Sequence, residues 1–216
     1  MLTFVTLVVL GLLLGIVLMQ LFKKQPPPAA PAADLANLKV TDARAGDAIS
    51  ISGAGDNYTD LDFTADRRTD FDAGTRRWFE VSGPYLERRV ALRVGGDEEV
   101  EVYLHSGARK LTLEELGLAE EELAEMDERQ NTADSFEFDG KVWLYRLSRE
   151  VRATRSREVG VNPSGQAAPT GFYYWEFLEQ AGKGMIGVRK AEGEPFTVTL
   201  YLGIAPSDVT IYRGGR

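Results

Sequence analysis

Cysteine is absent and histidine occurs once, at His105, in a chain of 216 residues. Disulfides, thiolate-held metals and thiol nucleophiles are thereby excluded, although the redox compartment stays open because extracytoplasmic proteins also dispense with cysteine. A Ser–His–Asp triad could use only His105, whose neighbours Ser106-Gly107 form no nucleophile elbow, so the residue reads as an exposed strand end. No P-loop, H-E-x-x-H or G-x-S-x-G is present. Gly53-Ala-Gly55 follows a strand-like run, but Tyr58 stands where a dinucleotide fingerprint needs its third glycine, which leaves a hairpin turn. Positive charge is also short: 25 Lys+Arg against 33 Asp+Glu give −8, and an acidic surface repels phosphate backbones, so nucleic acid is not an expected partner. Neither an enzymatic activity nor a cofactor or metal is expected from this inventory.

What is present begins with an apolar run. Leu2 to Phe22 carries no charged side chain, and at 1.5 Å per residue it spans about 30 Å, the thickness of a bilayer hydrocarbon core. No basic residue precedes the run and the pair Lys23-Lys24 follows it. Those are features of a single-pass anchor over residues 1–24 and not of a cleaved signal peptide. Lys23 and Lys24 predict a cytoplasmic flank, hence an inner-membrane protein with its soluble part in the cytoplasm. Gly11 and Gly15 form a G-x-x-x-G on which two such helices could dimerise. Residues 25–37 open with Gln-Pro-Pro-Pro-Ala-Ala-Pro-Ala-Ala, a semi-rigid Pro/Ala spacer. All 33 acidic residues lie beyond that Pro/Ala run, so docking on an anionic leaflet is disfavoured.

Residues 38–212 read as mainly β. Short runs of alternating apolar and polar residues, cut by Gly, Asn, Asp and Pro, predict strands at 48–51, 78–81, 89–94, 100–104, 135–138, 142–147, 172–178, 184–189, 196–202 and 208–212. Trp78-Phe-Glu-Val81, Arg89 to Val94 and Glu99 to Leu104 find counterparts in Trp175-Glu-Phe-Leu178, Gly184 to Arg189 and Thr197 to Leu202. These matches predict two similar antiparallel β units, about 38–110 and 135–212, with Trp78 and Trp175 in equivalent core positions. An acidic helical connector over 111–130 joins them, opened by the capping-box pattern Thr112-x-x-Glu115 and broken at Gly117.

Three groups of side chains carry chemistry worth weighing. Arg146, Arg149, Arg152, Arg155 and Arg157 cluster along one run; guanidinium suits bidentate contact with carboxylate or phosphate, and equally it guards an exposed strand edge. Glu120, Glu121 and Glu122 would give the connector helix an acidic face for a cationic partner, or simply a solvated one. Asp60/Asp62 and Asp70/Asp72 have the two-residue spacing that puts a pair on one strand face, but Arg67 and Arg68 intervene, and a solvent face explains them without a metal.

The Gly46-Asp47 turn, Trp78-Phe-Glu, Phe138-Asp-Gly-Lys-Val-Trp-Leu-Tyr145, Tyr174-Trp-Glu-Phe177 and Glu194-Pro-Phe-Thr-Val with Leu202-Gly together resemble an uncharacterised bacterial domain of unknown function, numbered forty-one seventy-eight in that series. The likeness covers roughly residues 38–212. It implies a membrane-anchored member of a gene neighbourhood with small membrane proteins and polyamine enzymes of the aminopropyltransferase type, and it supplies no catalytic residues. The function expected is a membrane-tethered accessory or interaction module with protein partners in the membrane; a binding protein for a small cation such as a polyamine is the alternative, and an enzyme of unfamiliar type is the third reading.

Overall fold

A computed structural model of the chain describes residues 38–107, 111–158 and 170–214. The expected anchor and spacer, with Gly11, Gly15, Lys23 and Lys24, lie outside the described residues, and among those described no helix is long and apolar enough to cross a membrane.

The described residues are mainly β. Strands β3 (Arg67–Asp72), β4 (Arg77–Tyr85), β5 (Arg88–Gly95) and β6 (Glu101–His105) form one antiparallel meander. Strands β8 (Lys141–Glu158), β9 (Thr170–Glu179), β10 (Gly184–Lys190) and β11 (Thr197–Ile204) form another. β6 pairs with β11 and β3 pairs with β8, closing all eight into an antiparallel barrel. Two elements flank it: β1 (Ala48–Ile51), β2 (Leu61–Thr64) and β12 (Val209–Tyr212) make a separate three-stranded sheet, and β7 (Ser135–Phe138) forms a hairpin with the start of β8. The helix α1 (Glu120–Arg129) links the two meanders.

The apolar faces of the barrel strands point outward, under these flanking elements. Phe79, Val81, Leu92, Val94, Val102 and Leu104 pack with Ile49, Ile51, Leu61, Phe63 and Ile211 of the small sheet. Trp143, Tyr145, Trp175, Phe177, Ile186 and Val188 pack with Leu116, Leu123 and Met126 beneath α1. Alternation then turns the intervening residues into the lumen, where Phe71, Trp78, Leu147, Val151, Phe172 and Tyr174 form a third, interior cluster. Two glycines permit this packing. A Cβ on Gly83 would stand 2.1 Å from the Thr64 carbonyl, so only glycine lets the small sheet lie against β4. One on Gly187 would meet the Tyr174 hydroxyl at 2.5 Å.

The two meanders fall within the spans 38–110 and 135–212, and they share one continuous barrel. Trp78 and Trp175 are both buried yet not equivalent: Trp78 faces the lumen, whereas Trp175 lies on the outer face with its Nε1 donating to the Leu123 carbonyl at 3.1 Å. Two strands were not anticipated, β2 and β3, because the dense aspartates of 56–72 mask their alternation. β8 also runs on through the arginine-rich stretch, where its second part closes the barrel against β3. The connector divides as its sequence suggests. The Glu115 amide donates to Thr112 Oγ1 at 3.2 Å and the Thr112 amide to Glu115 Oε2 at 2.8 Å; a 3-10 turn at Glu114–Leu116 ends on Gly117 at φ 73°, and α1 starts afresh with the Ala119 amide on Glu122 at 2.7 Å.

Candidate functional site

The lumen is layered, with a closed charge network on one side of the interior and an open cavity at the mouth. Arg93 on β5 is 3% exposed and Glu176 on β9 is fully buried. Arg93 donates to Glu176 Oε2 at 2.5 Å and to the Tyr174 hydroxyl at 2.6 Å, and its guanidinium lies 4.4 Å over the Trp78 ring. Glu176 Oε1 also receives Arg146 at 3.1 Å, and Arg146 in turn holds Glu101 through bonds of 2.6 and 2.9 Å. Arg76 completes the network at 2.9 Å from Glu101. Burial by itself would discharge these groups. For Arg93 the burial effect is outweighed by Glu176 and its neighbours, which hold the guanidinium charged. For Glu101, burial is overcome by the hydrogen bond and charge of Arg146 and by Arg76, which keep its carboxyl below the usual carboxylate range. Each charge therefore has its partner, and this layer acts as a polar core.

The mouth is different. A cavity of about 380 Å³ opens there, lined by Arg67, Arg89 and Arg189 together with Glu80, Ser82 and His105. Phe71, Ala91 and Ala153 supply an apolar wall. Strand pairing explains why the side chains converge: β3, β4, β5, β6 and β10 each send the inward member of their alternation to the same rim. Arg89 is tied to Asp66 in a very short ion pair and reaches Ser82 Oγ at 3.4 Å. Arg189 stacks over Phe172 at 4.1 Å. No carboxylate pairs with it among the described residues. Glu80 Oε1 accepts the Tyr201 hydroxyl at 2.9 Å; burial, followed by the Glu80 charge, lifts the Tyr201 phenol well above its usual value, so it stays a donor. His105, expected as an exposed edge, is half-buried in a central barrel strand, with Nδ1 3.1 Å from the Leu200 carbonyl and its ring against Tyr201.

The arginine run does not act as one surface. Arg146 sits at the bulge in β8 and turns inward to Glu101 and Glu176. Arg149 reaches Thr75 Oγ1 at 2.6 Å. Arg152 is exposed, and the side chains of Arg155 and Arg157 lie outside those described. Glu120, Glu121 and Glu122 are exposed on α1, with Glu122 capping its own helix. The helix itself is firmly mounted. Asp127 Oδ1 accepts Tyr173 at 2.7 Å, Gln130 at 3.0 Å and Ser148 in a very short bond, and Ser148 also meets the Tyr145 hydroxyl at 2.6 Å.

The aspartates of 56–72 are in local use. Asp60 accepts the Gly53 amide, Asp70 pairs with Arg68, and Asp72 accepts the Gly74 amide and pairs with Arg77. Among the described residues no three His, Asp or Glu side chains gather as metal ligands. The residues that sequence reading missed are Glu80, Arg93, Glu176 and Arg189; the first three are single charges between apolar neighbours, which was the available signal, whereas Arg189 stands beside Lys190 at its strand end. No protein-family model, curated protein or solved structure matches the chain.

Proposed function

We propose that this chain is a tethered binding module whose barrel mouth receives the anionic group of a small ligand. The observation that carries the reading is Arg189, a lumen-facing guanidinium that borders a 380 Å³ cavity and has no acidic partner among the described residues. A cavity of that size suits a small ligand, and an arginine stacked on an aromatic ring is held in place for carboxylate or phosphate. The apolar run at Leu2 to Phe22 supplies the tether, and the resemblance to the membrane-anchored domain of unknown function belongs to the same proposal. The polyamine alternative fares worse at this cavity, since the Arg189 guanidinium opposes a purely cationic ligand. The accessory role is thus read as ligand sensing or delivery beside membrane partners. Calorimetric titration of the full-length chain with inorganic phosphate and with butyrate tests it. Saturable binding of one anion, weakened at least tenfold in Arg189→Gln, is expected; no saturable binding of either overturns the reading.

A further inference from the structure

Every other charge placed deep in the lumen is neutralised by direct contact. Arg93 meets Glu176 at 2.5 Å, Arg146 meets Glu101 at 2.6 Å and Arg76 meets Glu101 at 2.9 Å. The mouth departs from that rule twice within one cavity. Arg189 has its aromatic support but no acid, and Glu80 has one oxygen on Tyr201 but, among the described residues, no ion pair and no donor to Oε2. The nearest cation across the strand pair is Arg93, directly opposite Glu80 in the β4–β5 register. It is committed to Glu176 and Tyr174 and does not bond Glu80. Two opposite charges therefore line the same 380 Å³ space without meeting. An interior that leaves an acid and a base apart, while pairing all their neighbours, is complementary to a guest that bears both signs.

Resting on the anion-site reading above, we propose that the ligand is bipolar: a small amino acid with a carboxylate for Arg189 and an ammonium for Glu80, its methylene chain lying along Phe71, Ala91 and Ala153. A simple anion satisfies Arg189 and leaves the Glu80 carboxylate facing it, which costs affinity by like-charge repulsion and by an unfilled acceptor. A simple amine satisfies Glu80 and leaves Arg189 without its anion. Only a molecule with both groups gains at each end.

The experiment uses the full-length chain and calorimetry with the ω-amino carboxylates from β-alanine to ε-aminocaproate, each against the plain carboxylate and the plain amine of equal length. The expected result is that the best-fitting amino carboxylate binds at least tenfold more tightly than its carboxylate, and that the amines do not bind. Glu80→Gln, which keeps the acceptor for Tyr201, should abolish the difference and leave carboxylate affinity equal or higher. Arg189→Gln should weaken both compounds, with thermal unfolding of each variant showing the barrel intact. Equal affinity of carboxylate and amino carboxylate at every length, unaltered by Glu80→Gln, overturns the bipolar ligand while the anion site stands. Absence of binding by both series overturns the bipolar ligand, and the anion site with it when phosphate also fails to bind; tightest binding by the amines overturns both.

Discussion

Replacing Glu176 by Gln removes one charge from the centre of the barrel without changing its shape. In the native chain its two oxygens serve Arg93 at 2.5 Å, Arg146 at 3.1 Å and Arg76 at 3.7 Å. After the change Arg146 and Arg76 keep Glu101, while Arg93, 3% exposed, loses its only direct carboxylate contact among the described residues and cannot recover water. Breaking a buried pair in this way costs about 3–5 kcal/mol. For a domain of this size that lowers Tm by roughly 6–20 °C. Urea unfolding of the full-length chain followed by tryptophan emission is a suitable assay, because the Arg93 guanidinium lies 4.4 Å over Trp78 and both report on the same layer. Arg93→Met should also destabilise, and the double variant Arg93→Met/Glu176→Gln should lose about 1 kcal/mol or more less than the sum of the singles, since each removes the other's unpaired partner. A loss below about 1 kcal/mol in Glu176→Gln, with strict additivity in the double variant, would refute the idea that the lumen is held by mutually neutralising charges.

Further outcomes follow from the same contacts. Asp127→Ala strips three donors of their acceptor where α1 meets β8 and β9, so it should cost about 1–3 kcal/mol and raise amide exchange across residues 120–130 before the barrel opens. Leu123→Ala, fully buried beneath the same helix, should cost about 2–5 kcal/mol, measured by chemical unfolding. The Glu101 carboxyl is held below its usual range against the pull of burial by Arg146 and Arg76, so its contribution is complete above the unfolded value and is lost as pH falls through the lower folded one. Glu101→Gln should flatten that acid limb in a pH series of unfolding free energies. The Tyr173 phenol is pushed up to about 12 by burial and by Asp127, so its contribution is full below the unfolded tyrosine value and fades as pH climbs toward the folded one. Tyr173→Phe should make the alkaline decline shallower, leaving the share of the other raised tyrosines such as Tyr201.

The sequence makes the strands legible because short alternating runs report that two faces differ. It does not say which face is inside. Val90, Leu92 and Val94 announce β5, yet they point out of the barrel toward the small sheet, and Arg93 between them, which alternation assigns to solvent, is at the centre. Glu176 in β9 follows the same inversion. A barrel with covers on its outside carries its apolar stripe outward, so the charges that matter resemble surface residues until closure is known. The closure depends on β3 and on the later part of β8, two stretches whose composition of Asp and Arg hides their strand character. The bulge between Tyr145 and Leu147 is equally hidden: it shifts the alternation so that Arg146 and Leu147 both face the lumen, with Arg146 reaching Glu101. The capping box at Thr112 and the break at Gly117 could be read directly, because those signals are local and need no tertiary partner.

The central claim is that Arg189 is the cation awaiting an anion at the barrel mouth. Side-chain Nε–Hε resonances of arginine in the full-length chain, followed during titration with β-alanine, test it most directly. The account predicts a saturable shift of the Arg189 resonance at the same midpoint as calorimetry, while the Arg93 resonance, already fixed by Glu176 and Tyr174, stays in place. Binding with Arg189 unmoved, or with the change at Arg93 instead, would contradict it.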